Sequence, residues 1–170
     1  LIVYLLAFVS GFSIMSIELL GGRLLAPYFG SSVYVWGSII TVFMLSLSIG
    51  YLIGGRLSLY RPTLHRYAAI FLASAACLYP LVLIAEDVMA AVFERVEDPR
   101  YGSLLASSVL FIVPTVILGM ISPYSVRLLT ETTERAGHVA GRLYFVSTLG
   151  SALGTLMTSF YFVLWFEMNT

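Results

Sequence analysis

The chain of 170 residues is 59% hydrophobic and 11% charged, and its nine basic residues, all arginine, balance nine acidic residues to a net charge of zero. Soluble domains carry about 25% charged residues, so this composition excludes an ordinary water-soluble domain and offers no basic surface for nucleic acid. The single cysteine, Cys77, excludes a disulfide or a cysteine metal cluster within the chain. The start at Leu1, without a basic region or a small-residue cleavage site, indicates a trimmed end rather than a signal peptide.

Five blocks of the sequence contain no charged residue: 1–17, 24–55, 67–85, 101–126 and 143–166. A helix needs about 20 apolar residues to cross a bilayer, and a helix satisfies its own backbone hydrogen bonds in hydrocarbon. The blocks therefore predict an all-α, polytopic transmembrane bundle that forms one domain over 1–170. Its five spans are expected near 1–22, 33–56, 67–86, 102–126 and 142–166.

Glu18 stands in the first predicted span, between Ile17 and Leu19. An ionisable side chain at membrane depth costs several kcal/mol unless it is paired or hydrated, so it indicates a functional site. A helix that continues through Leu25 would bury Glu18 more deeply than one that ends sooner. Arg23 is the nearest partner in sequence, but five helical residues turn it about 140° away. Structural pairing and the binding of a cation or proton therefore both stay open.

The stretch 26–32 contains proline, glycine and two serines and predicts a break before the second span. Tyr28, Tyr34 and Trp36 cluster there, which is typical of an aromatic belt at the membrane interface; a cage for an organic cation is the alternative. Small residues then recur at every fourth position of the second span: Ser46, Gly50, Gly54 and Ser58. This spacing favours a helix-packing seam, and a sliding interface or substrate path is the alternative.

The segment after the third span carries valines at helical spacing, at 88, 92 and 96, together with Met89 and Phe93. This pattern predicts a short amphipathic helix over 86–98 that lies on the bilayer surface. An ordinary solvated loop is the alternative.

The fourth span contains Pro114, and Gly119 and Pro123 follow toward its end. Proline removes a backbone donor, so we expect a kink whose freed carbonyls are satisfied by neighbouring hydroxyls or coordinate a ligand. The fifth span repeats the small-residue pattern and predicts a second packing seam, formed by Ser147, Gly150, Ser151, Gly154, Thr155 and Ser159.

Arginine placement predicts the orientation, because cytoplasmic loops retain positive charge. Six of the nine arginines flank or occupy the loops 56–66 and 127–142: Arg56, Arg61, Arg66, Arg127, Arg135 and Arg142. The loop 86–100 carries five acids and two arginines, so it is expected outside. The first helix then starts in the cytoplasm and the fifth ends outside, and the odd number of spans suggests a sixth helix in a longer parent protein.

No catalytic or cofactor motif is visible in the sequence. There is no GxxxxGK[ST], HExxH or CxxC pattern. His65 and His138 fall in basic loops without a catalytic or metal-binding partner nearby in sequence. The residues alone therefore predict no metal site, no cofactor and no named substrate.

Several short motifs, most of them rich in glycine, are spread over the chain. They are Glu18 with Gly21-Gly22-Arg23, Ala26-Pro27-Tyr28-Phe29-Gly30, Val35-Trp36-Gly37, Gly50 with Gly54-Gly55-Arg56-Leu57, Gly119-Met120-Ile121-Ser122-Pro123, Gly141-Arg142-Leu143-Tyr144, Ser147-Thr148-Leu149-Gly150-Ser151 and Gly154-Thr155. Together they resemble the membrane region of the spermidine synthase-like membrane proteins, often described as fused major-facilitator and spermidine synthase proteins.

The resemblance implies half of a major-facilitator bundle in a bacterial inner membrane. It also implies fusion, in a longer parent, to a Rossmann-like aminopropyltransferase domain that uses decarboxylated S-adenosylmethionine and a polyamine. These 170 residues contain no soluble α/β segment and no glycine-rich nucleotide loop after a strand. No catalytic residue is therefore carried over, and an enzyme activity would belong to the parent protein.

Two hypotheses follow for the function. In the first, a transporter-like domain binds or moves a polyamine or another organic cation, and half a bundle dimerises to enclose the path. Glu18 would supply the countercharge, with aromatic contacts from Tyr28, Trp36, Tyr51 and Tyr144. Structural or gating roles are expected for Arg23, Gly50, Gly54, Arg56, Pro114, Pro123, Arg142, Gly150 and Gly154.

In the second hypothesis the domain is a non-transporting anchor or scaffold, or a subunit of a larger membrane assembly. The loop arginines would then meet anionic lipid or a partner. This hypothesis predicts that Glu18 pairs with an arginine and that no polar cavity enters the bundle.

Overall fold

Long apolar helices make up the protein. The computed structural model describes residues 1–60, 62–130 and 132–163, without the side chain of residue 133. These residues are almost entirely helical and contain no strand. Five helical segments among them are long and apolar enough to cross a membrane. The predicted all-α bundle is confirmed, and the chain is an integral membrane protein.

The described part of the chain contains six α-helices: α1 Ile2–Phe29, α2 Val33–Ser58, α3 Leu64–Arg95, α4 Pro99–Gly119, α5 Ile121–Leu129 and α6 Ala136–Met157. A 3₁₀ turn, Thr133–Arg135, precedes α6, and a π-helical turn, Thr158–Phe162, follows it. Helices α4 and α5 together make the fourth span, and α6 with the π-helical turn makes the fifth. Arg61 and the predicted end of the fifth span at 164–166 lie outside the described residues.

Helix α1 is longer than the predicted span 1–22. It continues through Leu25 to Phe29, both of which are buried, and it ends at Gly30, whose φ of 78° is readily adopted only by glycine. The break before the second span therefore falls inside 26–32. Because α1 continues for eleven residues after Glu18, that carboxylate lies about 16 Å below the end of the helix.

The segment 86–98 does not form a separate surface helix, so this prediction was wrong. Residues up to Arg95 are the last turns of α3, since no glycine or proline separates the span from this segment. Part of the apolar face that the pattern indicated packs on protein. Ala85 and Met89 are buried in the core, and the Phe93 ring lies 6.1 Å from the ring of Phe29.

Pro114 does not end its helix. Helix α4 continues through it to Gly119, and the interruption comes at Met120, where α5 begins. Pro123 lies in the first turn of α5, where a missing backbone donor has no intrahelical acceptor to lose. The helical run of the fourth span is therefore interrupted at Met120 and not at the proline inside α4.

The core has two parts, one toward each end of the bundle. One part lies toward the end of the bundle where α1 ends and α2 begins, which we call the outer end after the predicted orientation. It brings together α1, α2, α3 and α4 around Phe43 and Phe111, whose ring centroids are 5.4 Å apart. The other part lies toward the end that carries Arg56, Arg66, Arg127 and Arg142, which we call the arginine end. There Tyr67 stacks on Tyr124 and shares a 2.6 Å hydrogen bond with the Ser125 hydroxyl.

Both seams of small residues lie where two helices cross. A Cβ atom added to Gly150 would lie 2.1 Å from the Phe8 carbonyl oxygen of α1, and one added to Gly154 would lie 2.4 Å from that of Phe12. On α2, a Cβ atom at Gly50 would lie 2.3 Å from the Val116 carbonyl oxygen. These crossings bring backbone against backbone, as small residues permit in membrane helices.

Candidate functional site

A cavity of about 440 Å³ lies among α1, α2, α6 and the junction of α4 with α5. Helix α1 forms its back wall, where Ser10 and Gly11 are buried. Tyr51 of α2 and Tyr144 of α6 stand at its rim, about half exposed. Since α1 lies behind and both tyrosines are exposed, the cavity opens between α2 and α6. We call it the central cavity.

The central cavity is lined by seven side chains with hydroxyl groups and by no charged one. They are Ser10, Tyr51, Ser122, Tyr144, Ser147, Thr148 and Ser151. Within the part of the chain that the structure describes, only Ser151 of these seven makes a side-chain hydrogen bond to protein, to the Gly11 carbonyl at 3.2 Å. The other hydroxyls are free to bind water or a polar guest, which is rare for groups at membrane depth.

The central cavity narrows toward the arginine end where α1, α5 and α6 meet. A space of only about 10 Å³ continues from Ser10, Ser122 and Ser147 in that direction. It ends against buried apolar side chains of three helices, Ala7, Ile121 and Leu143. On the side of α5, Pro123 lines both the central cavity and a further space of about 580 Å³ at the arginine end, which Ser58 and Arg127 also line.

Glu18 does not line the central cavity, but it continues the face of α1 that does. It follows Ile14 and Met15, both cavity-lining, by four and three residues, a spacing that places side chains on one helix face. Among the described residues, no hydrogen bond or ion pair involves its side chain, which is half-buried. The carboxylate thus stands one turn beyond the cavity, toward the outer end.

The proposed pairing of Glu18 with Arg23 is not present among the described residues. The Arg23 guanidinium instead donates a 2.7 Å hydrogen bond to the carbonyl of Val163, after the π-helical turn. The wide angle between positions 18 and 23 on α1 is the reason, because Gly21 and Gly22 stay helical and do not bend the chain. Arg23 thus joins the outer ends of α1 and the fifth span.

Trp36 and Tyr28 lie nearer the outer end than the central cavity and do not line it. The Trp36 ring packs against α1 at Gly22, where an added Cβ atom would lie 2.6 Å from the indole. Gly22 is one turn beyond Glu18, so Met15, Glu18 and the Trp36 ring follow one another along α1. Tyr28 packs edge-on against Phe93, with ring centroids 6.2 Å apart.

Of the five predicted substrate-binding residues, the structure places Tyr51 and Tyr144 together. Sequence reasoning missed the hydroxyls of Ser10, Ser122 and Thr148, which belong to three different spans. Each is unremarkable within its own helix, and only the way the helices pack brings them together. Among the predicted structural positions, Pro123 also lines the cavity.

The comparisons with known proteins give no match: no family model, no curated protein and no solved structure is significantly similar to this chain. Among the described residues, no group of three or more histidine, cysteine or acidic side chains is placed to hold a metal ion.

Proposed function

We propose that the chain is a transporter-like membrane domain that binds or moves an organic cation, with the central cavity as its binding site. The observation that carries this proposal is that Tyr51 and Tyr144, from different spans, line one cavity with five further hydroxyl side chains. Unpaired polar groups are costly in hydrocarbon. Several such groups around one cavity in a membrane bundle therefore indicate that the cavity holds water or a ligand.

A cation fits this site better than an anion does. Glu18 is the only charged residue on the cavity-lining face of α1 in this region, and it supplies a negative charge one turn away. The tyrosine rings present negative faces to a cation, and hydroxyl oxygens accept hydrogen bonds from ammonium groups. The resemblance to spermidine synthase-like membrane proteins is the reason for proposing a polyamine as the cation.

The orientation and assembly belong to the same proposal. The arginine end lies in the cytoplasm, because cytoplasmic loops retain positive charge. The domain is half of a major-facilitator-like bundle in a bacterial inner membrane, and a second copy covers the side between α2 and α6 where the central cavity opens. The proposed aminopropyltransferase activity belongs to a longer parent protein.

The test is calorimetric binding of spermidine to the protein in nanodiscs. We expect saturable binding that Glu18→Gln weakens by about tenfold to 100-fold, the effect of losing a charged hydrogen-bonding partner. Glu94→Gln is the matched control, because Glu94 is an exposed acid near the end of α3 that does not line the cavity. The control should bind as the native chain does.

A second pair of variants tests the cavity itself. Thr148→Phe would place a ring in the central cavity, whereas Leu149→Phe changes the next, exposed residue, which does not line it. We expect binding to be lost only in the first. Binding that survives Thr148→Phe in a folded sample would contradict the cavity as the site, and binding unaffected by Glu18→Gln would remove Glu18 from it.

The alternative function is a non-transporting anchor or scaffold. The backbone contacts of Gly150 and Gly154 with α1 favour it, because such tight crossings oppose the sliding of helices. Its expectations that Glu18 pairs with an arginine and that no polar cavity enters the bundle are not met among the described residues. A folded protein that binds no spermidine in the calorimetric test would favour this function.

A further inference from the structure

A second groove, which the proposed function does not use, lies between α1, α3 and α4 in the outer half of the bundle. Its volume is about 430 Å³. We call it the outer groove. Its walls are apolar, with Ile17, Leu20 and Leu24 on α1, Leu78 and Leu81 on α3, and Phe111 on α4.

One charged side chain, Glu86, lines the outer groove. It directly follows the charge-free block 67–85, which places it where α3 leaves the apolar part of its length. This exposed carboxylate makes no hydrogen bond or ion pair with any residue that the structure describes. The groove therefore combines an apolar slot with an unpaired negative charge at its outer end.

The charge around this end restricts what the groove accepts. The segment from Glu86 to Arg100 holds five acids and two arginines. One of those arginines, Arg100, is already paired with Asp98 at 3.1 Å. A phosphate headgroup of an ordinary phospholipid would meet like charge here, whereas an ammonium group would meet opposite charge.

We infer that the outer groove binds an amphiphilic amine: an alkyl chain lies between α1 and α3, and its ammonium group pairs with Glu86. The apolar walls contribute close packing with the chain. Recognition over other single-chain lipids comes from the carboxylate, because lipid tails alone are equally apolar. This inference does not depend on the proposed function of the central cavity.

The test uses two spin-labelled probes, a long-chain primary amine and the alcohol of the same chain length, in nanodiscs of zwitterionic lipid. Electron paramagnetic resonance measures the fraction of each probe that the protein immobilises. We expect the native chain to prefer the amine by about 1.5-fold to fivefold, the range of an exposed ion pair. Glu86→Gln should abolish this preference.

Asp87→Asn is the matched control, because Asp87 is the next residue, is exposed and does not line the outer groove. It should keep the preference. Val82→Trp tests the slot independently. Val82 lines the groove and is 78% exposed, so an indole ring there fills space without disturbing the core. It should lower immobilisation of both probes.

Two results would overturn the inference. Equal immobilisation of amine and alcohol by the native chain would mean that the groove holds any acyl chain without recognising charge. An equal loss of preference in Glu86→Gln and Asp87→Asn would assign the effect to the general acidity of this end rather than to Glu86.

Discussion

Gly150→Ala is expected to destabilise the protein by about 2 kcal/mol, within the 1–3 kcal/mol range of overpacked sites. The added methyl group would lie 2.1 Å from the Phe8 carbonyl oxygen and 2.9 Å from its carbonyl carbon. These are backbone atoms, so no side chain can rotate to make room, and α1 must move away from α6. That movement also disturbs the hydrogen bond from Ser151 to the Gly11 carbonyl.

The control for this prediction lies on the same helix. Gly141 has no atom within 4 Å of an added Cβ atom, so Gly141→Ala makes the same chemical change in open space. It should raise stability by up to about 1 kcal/mol through helix propensity. Thermal unfolding in detergent, followed by circular dichroism, measures both. Equal effects of the two substitutions would contradict the α1–α6 crossing.

Phe111→Ala is expected to cost about 3 kcal/mol, as large-to-small changes in cores do. The Phe111 ring is 1% exposed, packs on Phe43 and lies where a Cβ atom at Gly21 would be 2.8 Å away. Its loss leaves a void shared by α1, α2 and α4. Lipid tails are as apolar as the core, so the cost comes mainly from lost packing contacts.

Phe145→Ala provides the comparison. It is the same substitution on the outside of α6, where Phe145 is 64% exposed. It should alter the unfolding temperature little. The same thermal unfolding experiment compares the two variants. A Phe111→Ala protein as stable as Phe145→Ala would show that the outer core is not packed as described.

Helix content and the number of long apolar helices could be predicted from the sequence because they depend on residues that are contiguous in the chain. The charge-free blocks located all five spans, since a helix in hydrocarbon needs only an apolar run of sufficient length. The end of the first helix was not predicted correctly. Helix α1 extends to Phe29 because its last turns are buried against other helices, which is a tertiary effect.

The segment 86–98 illustrates the limit of a periodic pattern. An apolar face at helical spacing indicates that something covers it, but the pattern does not distinguish lipid from protein. Here Ala85 and Met89 pack in the core, so the amphipathic turns belong to α3. The position of the interruption near Met120 was missed for a similar reason, because Pro114 fits within a helix that its neighbours hold in place.

The candidate site was only partly predictable. Glu18 is conspicuous because charge is rare inside an apolar block, and small-residue spacing pointed to the crossings at Gly50 and Gly150. The central cavity itself has no signature in the sequence, because its hydroxyl groups come from several helices that only the packing brings together. In the sequence, Tyr51 and Tyr144 are two of many aromatic residues, and no pattern places them together.

The most direct test of the proposed cation transport is spermidine uptake into proteoliposomes that contain the native chain or Glu18→Gln, with protein-free vesicles as the background. We predict saturable uptake by the native chain and at least about a tenfold reduction in the variant, as expected when a charged partner is lost. Uptake no faster than in protein-free vesicles, by a native chain that unfolds cooperatively in the thermal experiment, would contradict transport by this chain and favour the anchor function.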